Sequence, residues 1–244
     1  MGKLYVVGIG PGAADEMTAR AAGALEEAQL IVGYGAYISL IQPMFPGKDY
    51  LQTPMRKEAE RCRLAIEAAL SGKTVAVICS GDAGVYGMAG LVLEMASGTA
   101  LHVEIVPGVT AALSGSARLG APLGHDFAVI SLSDLLTPWE KIERRLELAA
   151  QADLCIVLYN PSSMKRADYL QRACDILMRH ASPDTVCGVA RCIGREGEET
   201  RVMTLAQLRD HRTDMFTTVF IGNSQTRLID GRMVTPRGYM ETAR

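Results

Sequence analysis

The most informative segment of the chain is Cys79-Ser80-Gly81-Asp82-Ala83-Gly84-Val85-Tyr86-Gly87-Met88-Ala89-Gly90. It follows an apolar, β-branched run from Lys73 to Ile78, which predicts a buried strand. The residues from Val85 to Ala96 carry enough Ala, Leu and Met to predict a helix. A strand, a glycine-rich loop and a helix in this order present backbone amides to a ligand in α/β proteins. A plain βα turn in which Asp82 caps the helix is the alternative, but four glycines and an acid in one short loop favour a binding site.

Length and composition predict a globular protein and argue against several classes of partner. The chain has 244 residues, of which 48% are hydrophobic and 21% charged, as is ordinary for a soluble protein with an ample core. A net charge of −2 gives no basic signature for binding nucleic acid or a membrane surface. No secretory signal or apolar run of transmembrane length is evident, so we expect a cytoplasmic protein.

The cysteines are predicted to be free thiols that bind no metal. All six are scattered, no C-x-x-C motif occurs, and Cys187 and Cys192 have no nearby histidine. This pattern disfavours a zinc site. Mostly buried thiols in a reducing cytosol are the expected state.

Strands and helices alternate in two runs along the chain, which predicts an α/β protein of two domains. The best candidate for a linker is Gly120-Ala121-Pro122-Leu123-Gly124, because the pattern restarts after it with a strand from Phe127 to Leu132. We therefore predict an N-terminal domain over residues 1–119, a linker at 120–124 and a C-terminal domain over 125–244.

Capping residues and glycines predict several local features. Asp15 can cap a helix that runs to about Ala28. Thr53-Pro54 predicts another helix start, with Thr as the N-cap and Pro at the first helical position. The segment 33–37 is predicted to be a glycine-rich turn, and the strand 216–221 is predicted to be the last one of the chain.

The first glycine-rich loop matches a dinucleotide-binding motif only in part. Gly8, Gly10 and Ala13 fit G-x-G-x-x-A after a strand, but Pro11 removes an amide from the turn that holds a pyrophosphate. The second strand also lacks an acid for the ribose, because it runs into Gly33-Tyr34-Gly35. A nicotinamide dehydrogenase is therefore a disfavoured alternative.

The two glycine-rich loops suggest a ligand with less negative charge than a nucleotide. No Arg or Lys occurs in Gly8–Ala14 or in Ser80–Gly87 to meet a phosphate. Asp82 instead supplies a carboxylate, which suits a ribose hydroxyl, an amine or a sulfonium.

Three motifs together carry a resemblance to a known family. They are Val7-Gly8-Ile9-Gly10-Pro11-Gly12, Ser80-Gly81-Asp82-Ala83-Gly84-Val85-Tyr86-Gly87 and Val106-Pro107-Gly108-Val109-Thr110-Ala111. In this order and spacing they resemble the tetrapyrrole methylases of cobalamin and sirohaem synthesis, over nearly the whole chain. The chain departs from the usual motifs at Met17-Thr18, where Leu-Thr is usual, and at Ala83, where proline is usual.

Further segments are similar to one branch of this family. They are Val32-Gly33-Tyr34-Gly35-Ala36-Tyr37, Ala83-Gly84, His125-Asp126-Phe127, the run from Ile130 to Trp139, and Leu158-Tyr159-Asn160-Pro161. That branch methylates precorrin-3B at carbon 17 and contracts the ring to precorrin-4 in cobalamin biosynthesis. We see no residue that separates this metal-free substrate from its cobalt-containing analogue, cobalt-factor III.

The resemblance has implications for the fold, the cofactor and the assembly. It implies two αβα domains that are not of the Rossmann methyltransferase type, with an active site in the cleft between them. It implies S-adenosylmethionine as methyl donor, S-adenosylhomocysteine as product, a polycarboxylate tetrapyrrole as substrate, and a homodimer.

By family position, eight residues are expected to line the S-adenosylmethionine site: Pro11, Gly81, Asp82, Val85, Thr110, Ala111, Asn160 and Val189. The backbone at Gly81 and Val85 can bind the methionine moiety and the ribose, and the small Ala111 leaves space for the cofactor. Two of these residues have structural alternatives, Thr110 as a helix cap and Val189 as a core residue.

Ring contraction needs acid–base help, whereas methyl transfer depends mainly on positioning. A hydroxyl must lose a proton while a carbon–carbon bond migrates, so a general base or acid should contribute about a hundredfold or more. His125 and Asp134 are the preferred candidates, and Ser131 and Tyr86 are further ones. The alternative for His125 is a solvated loop histidine, and the alternative for Asp134 is a cap of the turn before Pro138. Basic residues are expected to meet the substrate carboxylates, and the candidates are Arg118, Lys165, Arg166, Arg191 and Arg195.

Two other functions stay open. A methyltransferase of the same fold could act on another precorrin carbon or on a compound that is not a tetrapyrrole. A non-catalytic protein that carries a tetrapyrrole would bind the substrate and release no S-adenosylhomocysteine.

Overall fold

The computed structural model describes residues 2–163 and 166–239. The chain divides between Ala111 and Ala112 into two compact units. Within the described ranges, none of the helices has the length and hydrophobicity of a membrane span.

The first unit is built around a sheet of five parallel strands. The strands are β1 (Lys3–Gly8), β2 (Leu30–Tyr34), β3 (Asp49–Thr53), β4 (Thr74–Cys79) and β5 (His102–Val106), and their order in the sheet is β3-β2-β4-β1-β5. The helices that alternate with them are α1 (Ala19–Glu27), α2 (Gly35–Ile41), α3 (Glu58–Leu70) and α4 (Ala89–Ala96).

Side-chain alternation builds a core on each face of this sheet. In β1, Leu4 and Val6 pack with α3 and α4, whereas Tyr5 and Val7 pack with α1 and α2. Because helices cover both faces of this parallel sheet, its inner strands β1, β2 and β4 are apolar at almost every position, whereas the edge strands β3 and β5 carry polar residues. The αβα architecture predicted for the N-terminal domain is therefore confirmed.

The second unit contains a mixed sheet and a smaller one. The mixed sheet has the order β10-β9-β11-β8-β7 and consists of β7 (Phe127–Ser131), β8 (Cys155–Tyr159), β9 (Val186–Arg191), β10 (Glu199–Thr204) and β11 (Thr217–Ile221). Its helices are α5 (Ala111–Leu119), α6 (Trp139–Gln151), α7 (Tyr169–Leu177) and α8 (Leu205–Arg209). The smaller sheet has the order β12-β13-β6, with β6 (Gly120–Ala121), β12 (Arg227–Ile229) and β13 (Arg232–Val234).

Helices cover both faces of the mixed sheet. On one face, Ile142 of α6 and Leu170 of α7 pack against Ile156 and Leu158 of β8. On the other face α5 comes very close, because a Cβ atom added at Gly115 would lie 2.7 Å from the ring of Phe220. The small residues of α5 permit this approach, and the second unit is also an αβα layer structure.

The helix predicted to start at Asp15 begins later. Residues 14–16 form only a short 3-10 turn, and α1 starts at Ala19. Thr18 is its N-cap, since its Oγ1 accepts a hydrogen bond from the Ala21 amide at 3.1 Å and donates one to the Pro107 carbonyl at 3.1 Å. The bond to Pro107, at the end of β5, fixes the cap by a tertiary contact that local propensity does not reveal.

Two other local predictions in the first unit are wrong. Thr53 is the last residue of β3 rather than an N-cap, because its Oγ1 accepts a hydrogen bond from Nε of the buried Arg61 at 2.8 Å. The helix α3 starts only at Glu58. The predicted glycine-rich turn at 33–37 does not form, since β2 continues to Tyr34 and α2 follows directly.

The segment predicted to be a linker, 120–124, lies within the second unit. Gly120 and Ala121 pair with Met233 and Val234 of β13, so this segment is part of a sheet, and the boundary between the units falls at the start of α5. The strand 216–221 is also not the last, because the β12–β13 hairpin follows it. Its turn residues, Asp230 and Gly231, have φ of +48° and +77°, as a two-residue hairpin turn requires.

The six cysteines are free thiols, as predicted. Five are buried, and Cys192 is partly exposed. Burial raises the pKa of the Cys62 thiol to about 11 and the pKa values of the Cys79 and Cys174 thiols to about 12. Only the thiolate is strongly nucleophilic, so these buried thiols are protonated and unreactive near neutral pH.

We expect an aromatic disulfide reagent at pH 8 to label Cys192 rapidly in the folded protein and the other five cysteines only after unfolding. A thiol with a pKa of about 12 is about one part in ten thousand ionised at that pH. Peptide mass spectrometry would identify the labelled residue, and a Cys192→Ser variant should lose the fast phase. Rapid labelling of Cys62 or Cys79 in the folded protein would contradict this prediction.

Candidate functional site

The loops that follow β1, β4 and β5 meet at the carboxyl edge of the first sheet. These strands are neighbours in the order β4-β1-β5, so their loops emerge side by side. Gly10 and Gly81 exchange two backbone hydrogen bonds, with N–O distances of 3.1 Å and 2.8 Å. The loop after β1 is thereby joined to the loop after β4.

Glycine permits a very close backbone approach at this edge. A Cβ atom added at Gly108 would lie 2.2 Å from the carbonyl oxygen of Gly81 and 2.4 Å from that of Gly8. Gly81 itself has φ of +69°, a left-handed conformation that favours glycine. One glycine from each of the three motifs therefore packs backbone against backbone.

The Asp82 carboxylate bridges two of these loops. Oδ1 accepts hydrogen bonds from the amides of Gly84 at 2.8 Å and Val85 at 3.1 Å, and Oδ2 accepts one from the Gly108 amide at 3.0 Å. A carboxylate offers about four acceptor positions, so these bonds use most of its capacity. Asp82 therefore fixes the loop by accepting from backbone amides, which resembles the capping role that was the alternative to a binding role. Its contact with a ribose or an amine stays a prediction.

The outer part of the loop after β4 is exposed and strained. Val85 and Tyr86 are 37% and 57% exposed. Tyr86 has φ of +53°, which costs a residue other than glycine about 1–3 kcal/mol. Strain of this kind collects at ligand sites, so the loop has the properties of a binding element.

Six of the eight predicted cofactor residues belong to this edge: Pro11, Gly81, Asp82, Val85, Thr110 and Ala111. A Cβ atom added at Gly81 would lie 3.5 Å from Cα of Thr110 and 3.7 Å from the amide nitrogen of Ala111, so the second and third motifs are in contact. The segments Gly8–Ala14 and Ser80–Gly87 contribute no Lys or Arg. Such an edge suits a polar ligand that is neutral or cationic better than it suits a phosphate.

The other two predicted cofactor residues, Asn160 and Val189, lie in the second unit. Asn160 follows β8 with φ of +53°, and its Nδ2 donates a hydrogen bond to Ser131 Oγ at 3.0 Å. Val189 lies in the middle of β9, is only 4% exposed and packs in the hydrophobic core. This core position is the alternative considered for Val189, and the cofactor roles of both residues stay predictions.

The two preferred acid–base candidates, His125 and Asp134, have separate partners. His125 Nε2 lies 2.9 Å from the Pro236 carbonyl, so Nε2 carries the proton in the neutral ring and Nδ1 is its acceptor atom. Asp134 accepts a hydrogen bond from the Tyr169 hydroxyl at 2.7 Å and lies 3.7 Å from Nη1 of Arg166. The bond to the carboxylate raises the pKa of Tyr169, so its hydroxyl stays a donor at neutral pH.

Three of the basic candidates are paired with acids of the same unit, since Arg118 and Arg191 have ion pairs as well as Arg166, which lies beside Asp134. Nε of Arg118 donates to Glu198 at 2.8 Å, and Nε of Arg191 donates to Asp214 at 2.8 Å. The Gly194 amide and Arg118 together hold the pKa of Glu198 below its usual range. Lys165 lies outside the described residues, Arg195 lies in the turn after β9, and Nε of Arg166 donates to Ser163 at 3.1 Å. Binding of substrate carboxylates by these residues stays a prediction.

The sequence patterns missed a cluster around Tyr169. The rings of Trp139 and Tyr169 have centroids 4.6 Å apart. The Arg172 guanidinium lies 4.0 Å from the Trp139 ring centroid and 5.1 Å from that of Tyr169. Trp139 is the only tryptophan in the chain, and this was the one signal that the position is unusual.

A profile of the family described as Tetrapyrrole (Corrin/Porphyrin) Methylases matches residues 3–209, which is most of the chain. The chain belongs to this family. The three motifs that meet at the carboxyl edge of the first sheet lie within the matched residues, and the predicted enzyme class, a methyltransferase, is confirmed.

Curated relatives are similar along almost all of the chain. It is 48% identical over 238 residues to the probable cobalt-factor III C(17)-methyltransferase of Salmonella typhimurium, covering 97% of this chain and 99% of the relative. It is 42% identical over 249 residues to a precorrin-3B C(17)-methyltransferase of a Sinorhizobium species, covering 98% and 97%. It is 46% identical over 244 residues to the cobalt-factor III methyltransferase of Priestia megaterium, but spans only 45% of that protein's length.

Solved structures share the fold. The crystal structure of the methyltransferase CobJ has a TM-score of 0.90 and 37% identity, over 97% of this chain and 100% of that one. A uroporphyrin-III C-methyltransferase from Thermus thermophilus, complexed with S-adenosylhomocysteine, has a TM-score of 0.72 over 91% of this chain and 97% of its own. Its identity is 21%, so it supports the fold alone. The predicted fold class is confirmed.

We expect Gly108→Ala to lower the free energy of unfolding by about 3 kcal/mol or more, because the added methyl group overlaps two backbone carbonyls rather than flexible side chains. Chemical denaturation would measure the change. Gly23→Ala is the control, since Gly23 lies in α1 with open space around its Cβ position. It should raise stability by about 0.5–1 kcal/mol. Wild-type stability in Gly108→Ala would disprove the close approach of the three loops.

Proposed function

We propose that this chain methylates precorrin-3B at carbon 17, with contraction of the ring to precorrin-4, as a step of cobalamin (vitamin B12) biosynthesis. The observation that carries the proposal is its identity of 42% and 48%, along almost the whole length, to relatives named as C(17)-methyltransferases. The His125–Phe127 and Ile130–Trp139 segments support the same branch.

S-adenosylmethionine is the proposed cofactor, and when bound it supplies an electrophilic methyl group on a sulfonium. Pro11, Gly81, Asp82, Val85, Thr110 and Ala111, with Asn160 and Val189, would hold it. The glycines expose backbone at the carboxyl edge of the first sheet, and the segments Gly8–Ala14 and Ser80–Gly87 offer no cation that would repel a sulfonium. The Asp82 carboxylate places a negative charge in the same loop.

The contribution of the chain to methyl transfer is to position the reacting groups and exclude water. Ring contraction requires a proton to move, and His125 is the proposed acid–base residue. Because Nε2 of His125 lies against the Pro236 carbonyl, Nδ1 is the atom that would accept a proton. Asp134 is the second candidate, although Tyr169 already occupies one of its oxygens.

Cobalt-factor III is the alternative substrate of the same reaction. The relatives with 48% and 46% identity carry that substrate in their names, whereas the relative named for precorrin-3B has 42% identity. The cobalt ion would arrive with the substrate. In the described residues, no group of His, Cys, Asp and Glu side chains is arranged to hold a metal ion of the protein's own.

A homodimer in the cytoplasm is the proposed state of the protein. The family resemblance implies the dimer, and the location rests on the predictions made from the sequence. An active site in the cleft between the two domains stays a prediction.

The function is tested by incubating the purified chain with methyl-labelled S-adenosylmethionine and either precorrin-3B or cobalt-factor III. We expect S-adenosylhomocysteine and a ring-contracted product whose label is at carbon 17 in the NMR spectrum. A label at another carbon would assign a different reaction of the same fold. Binding of the tetrapyrrole without release of S-adenosylhomocysteine would indicate a carrier.

We expect His125→Ala to slow ring contraction about a hundredfold and to change the Kd of S-adenosylmethionine less than about twofold. A general base contributes to the proton transfer and not to cofactor binding. Single-turnover kinetics and calorimetry would measure the two quantities. His102→Ala is the control, because His102 is an exposed residue at the start of β5, away from the carboxyl edge. Unchanged product formation would exclude the acid–base role.

A further inference from the structure

The loop between β7 and α6 exposes two leucines at its tip. In Ser133-Asp134-Leu135-Leu136-Thr137-Pro138, Leu135 is 61% exposed and Leu136 is 98% exposed. Burying a leucine side chain contributes about 1.5–3 kcal/mol, and Leu136 gains almost none of it here. Scattered exposed leucines are common on protein surfaces, but these two are adjacent and the loop that carries them is anchored at both ends.

Tyr169 holds both ends of this loop. Its hydroxyl donates to Oδ2 of Asp134 at 2.7 Å, just before the leucines, and its ring packs on Trp139, just after them. A further hydrogen bond joins the Ser133 amide to Ser131 Oγ at 3.2 Å. These contacts hold the backbone on both sides of the two leucines and so fix the position of the loop tip.

The loop emerges at the same edge of the sheet as Asn160. The strands β7 and β8 are parallel neighbours, so the loop after β7 and Asn160 after β8 lie side by side. The hydrogen bond from Asn160 to Ser131 joins the two strand ends directly. Ligands of α/β proteins bind at the carboxyl ends of parallel strands, so the leucines stand where a substrate is expected.

A cation lies over Trp139, which directly follows this loop. The Arg172 guanidinium lies over Trp139, and it has no hydrogen bond or ion pair with a carboxylate in the part of the chain that the structure describes. Arginine stacked on an aromatic ring keeps its N–H edges available for a carboxylate. An apolar surface with such a cation beside it complements a ligand with a flat apolar centre and carboxylates at its rim.

Resting on the proposed function, we propose that Leu135 and Leu136 cover one face of the tetrapyrrole substrate and that Arg172 binds one of its carboxylates. Tyr169 is the positioning residue that holds the loop in place. A second copy of the chain is the competing occupant. The position at the carboxyl edge, beside Asn160 and a guanidinium without a carboxylate partner, favours the tetrapyrrole.

The test is the double variant Leu135→Ala/Leu136→Ala, with tetrapyrrole binding measured directly by absorbance titration of precorrin-3B and cobalt-factor III. We expect the Kd of the tetrapyrrole to rise about tenfold or more, because much apolar contact is lost. The Kd of S-adenosylmethionine should change less than about twofold. Both leucines are exposed, so the variant should fold normally. Leu148→Ala is the matched control, since Leu148 is 52% exposed on α6, and it should bind like the wild type.

Each contrary outcome has a distinct meaning. If the wild type binds and methylates the tetrapyrrole and the double variant binds it equally well, the inference alone is overturned. If the wild type binds no tetrapyrrole, the proposed function fails together with the inference. If sedimentation shows that the double variant loses a dimer while tetrapyrrole affinity is unchanged, the leucines form an interface between two copies and the inference is overturned.

A charge variant tests the role of Arg172 separately. Arg172→Gln should raise the tetrapyrrole Kd about tenfold and make binding less sensitive to salt, because one ion pair with the substrate is lost. Arg144→Gln removes the same charge from an exposed position on α6 and is the control. Equal affinities and equal salt dependence in the two variants would exclude a carboxylate contact at Arg172.

Discussion

The backbone contact among Gly8, Gly81 and Gly108 is the constraint on which the candidate cofactor edge depends. No residue with a Cβ atom fits at Gly108 unless the carbonyls of Gly8 and Gly81 move. Because the backbones approach so closely, the Asp82 carboxylate can reach the Gly108 amide as well as two amides of its own loop. These contacts fix the positions of three loops that are far apart in sequence. They also hold the base of the loop after β4, whose outer part is exposed and strained.

The sequence predicted those features whose cause is local or periodic. The apolar runs of β1 and β4 indicated buried parallel strands, and the glycine spacing indicated which loops matter. Helix starts were predicted less well, since the hydroxyls of Thr18 and Thr53 are engaged by partners on other elements. The start of the second unit was also misplaced because of a partner that is distant in sequence. The predicted linker contains β6, which pairs with β13 more than a hundred residues further along the chain.

The candidate site was predictable in its residues but less so in their individual roles. Motif order brought Pro11, Gly81, Asp82 and Thr110 into one neighbourhood, and the structure places them there. The patterns did not reveal that Asp82 would use most of its acceptor capacity on backbone amides. They also missed Tyr169, whose contacts to Asp134 and Trp139 span about thirty residues of sequence and have no period or motif.

The position of β1 in the sheet has a consequence for biosynthesis of the protein. It precedes β4 and β5 in the chain by about 70 and 100 residues, yet it lies between them in the sheet, with Lys3 beside Thr74 on one side and His102 on the other. Its apolar residues stay without both neighbours until β5 has left the ribosomal exit tunnel. Long-range parallel pairing of this kind is slow and exposes strands that can aggregate. We therefore expect the first unit to be most prone to aggregation during translation, before β5 pairs with β1.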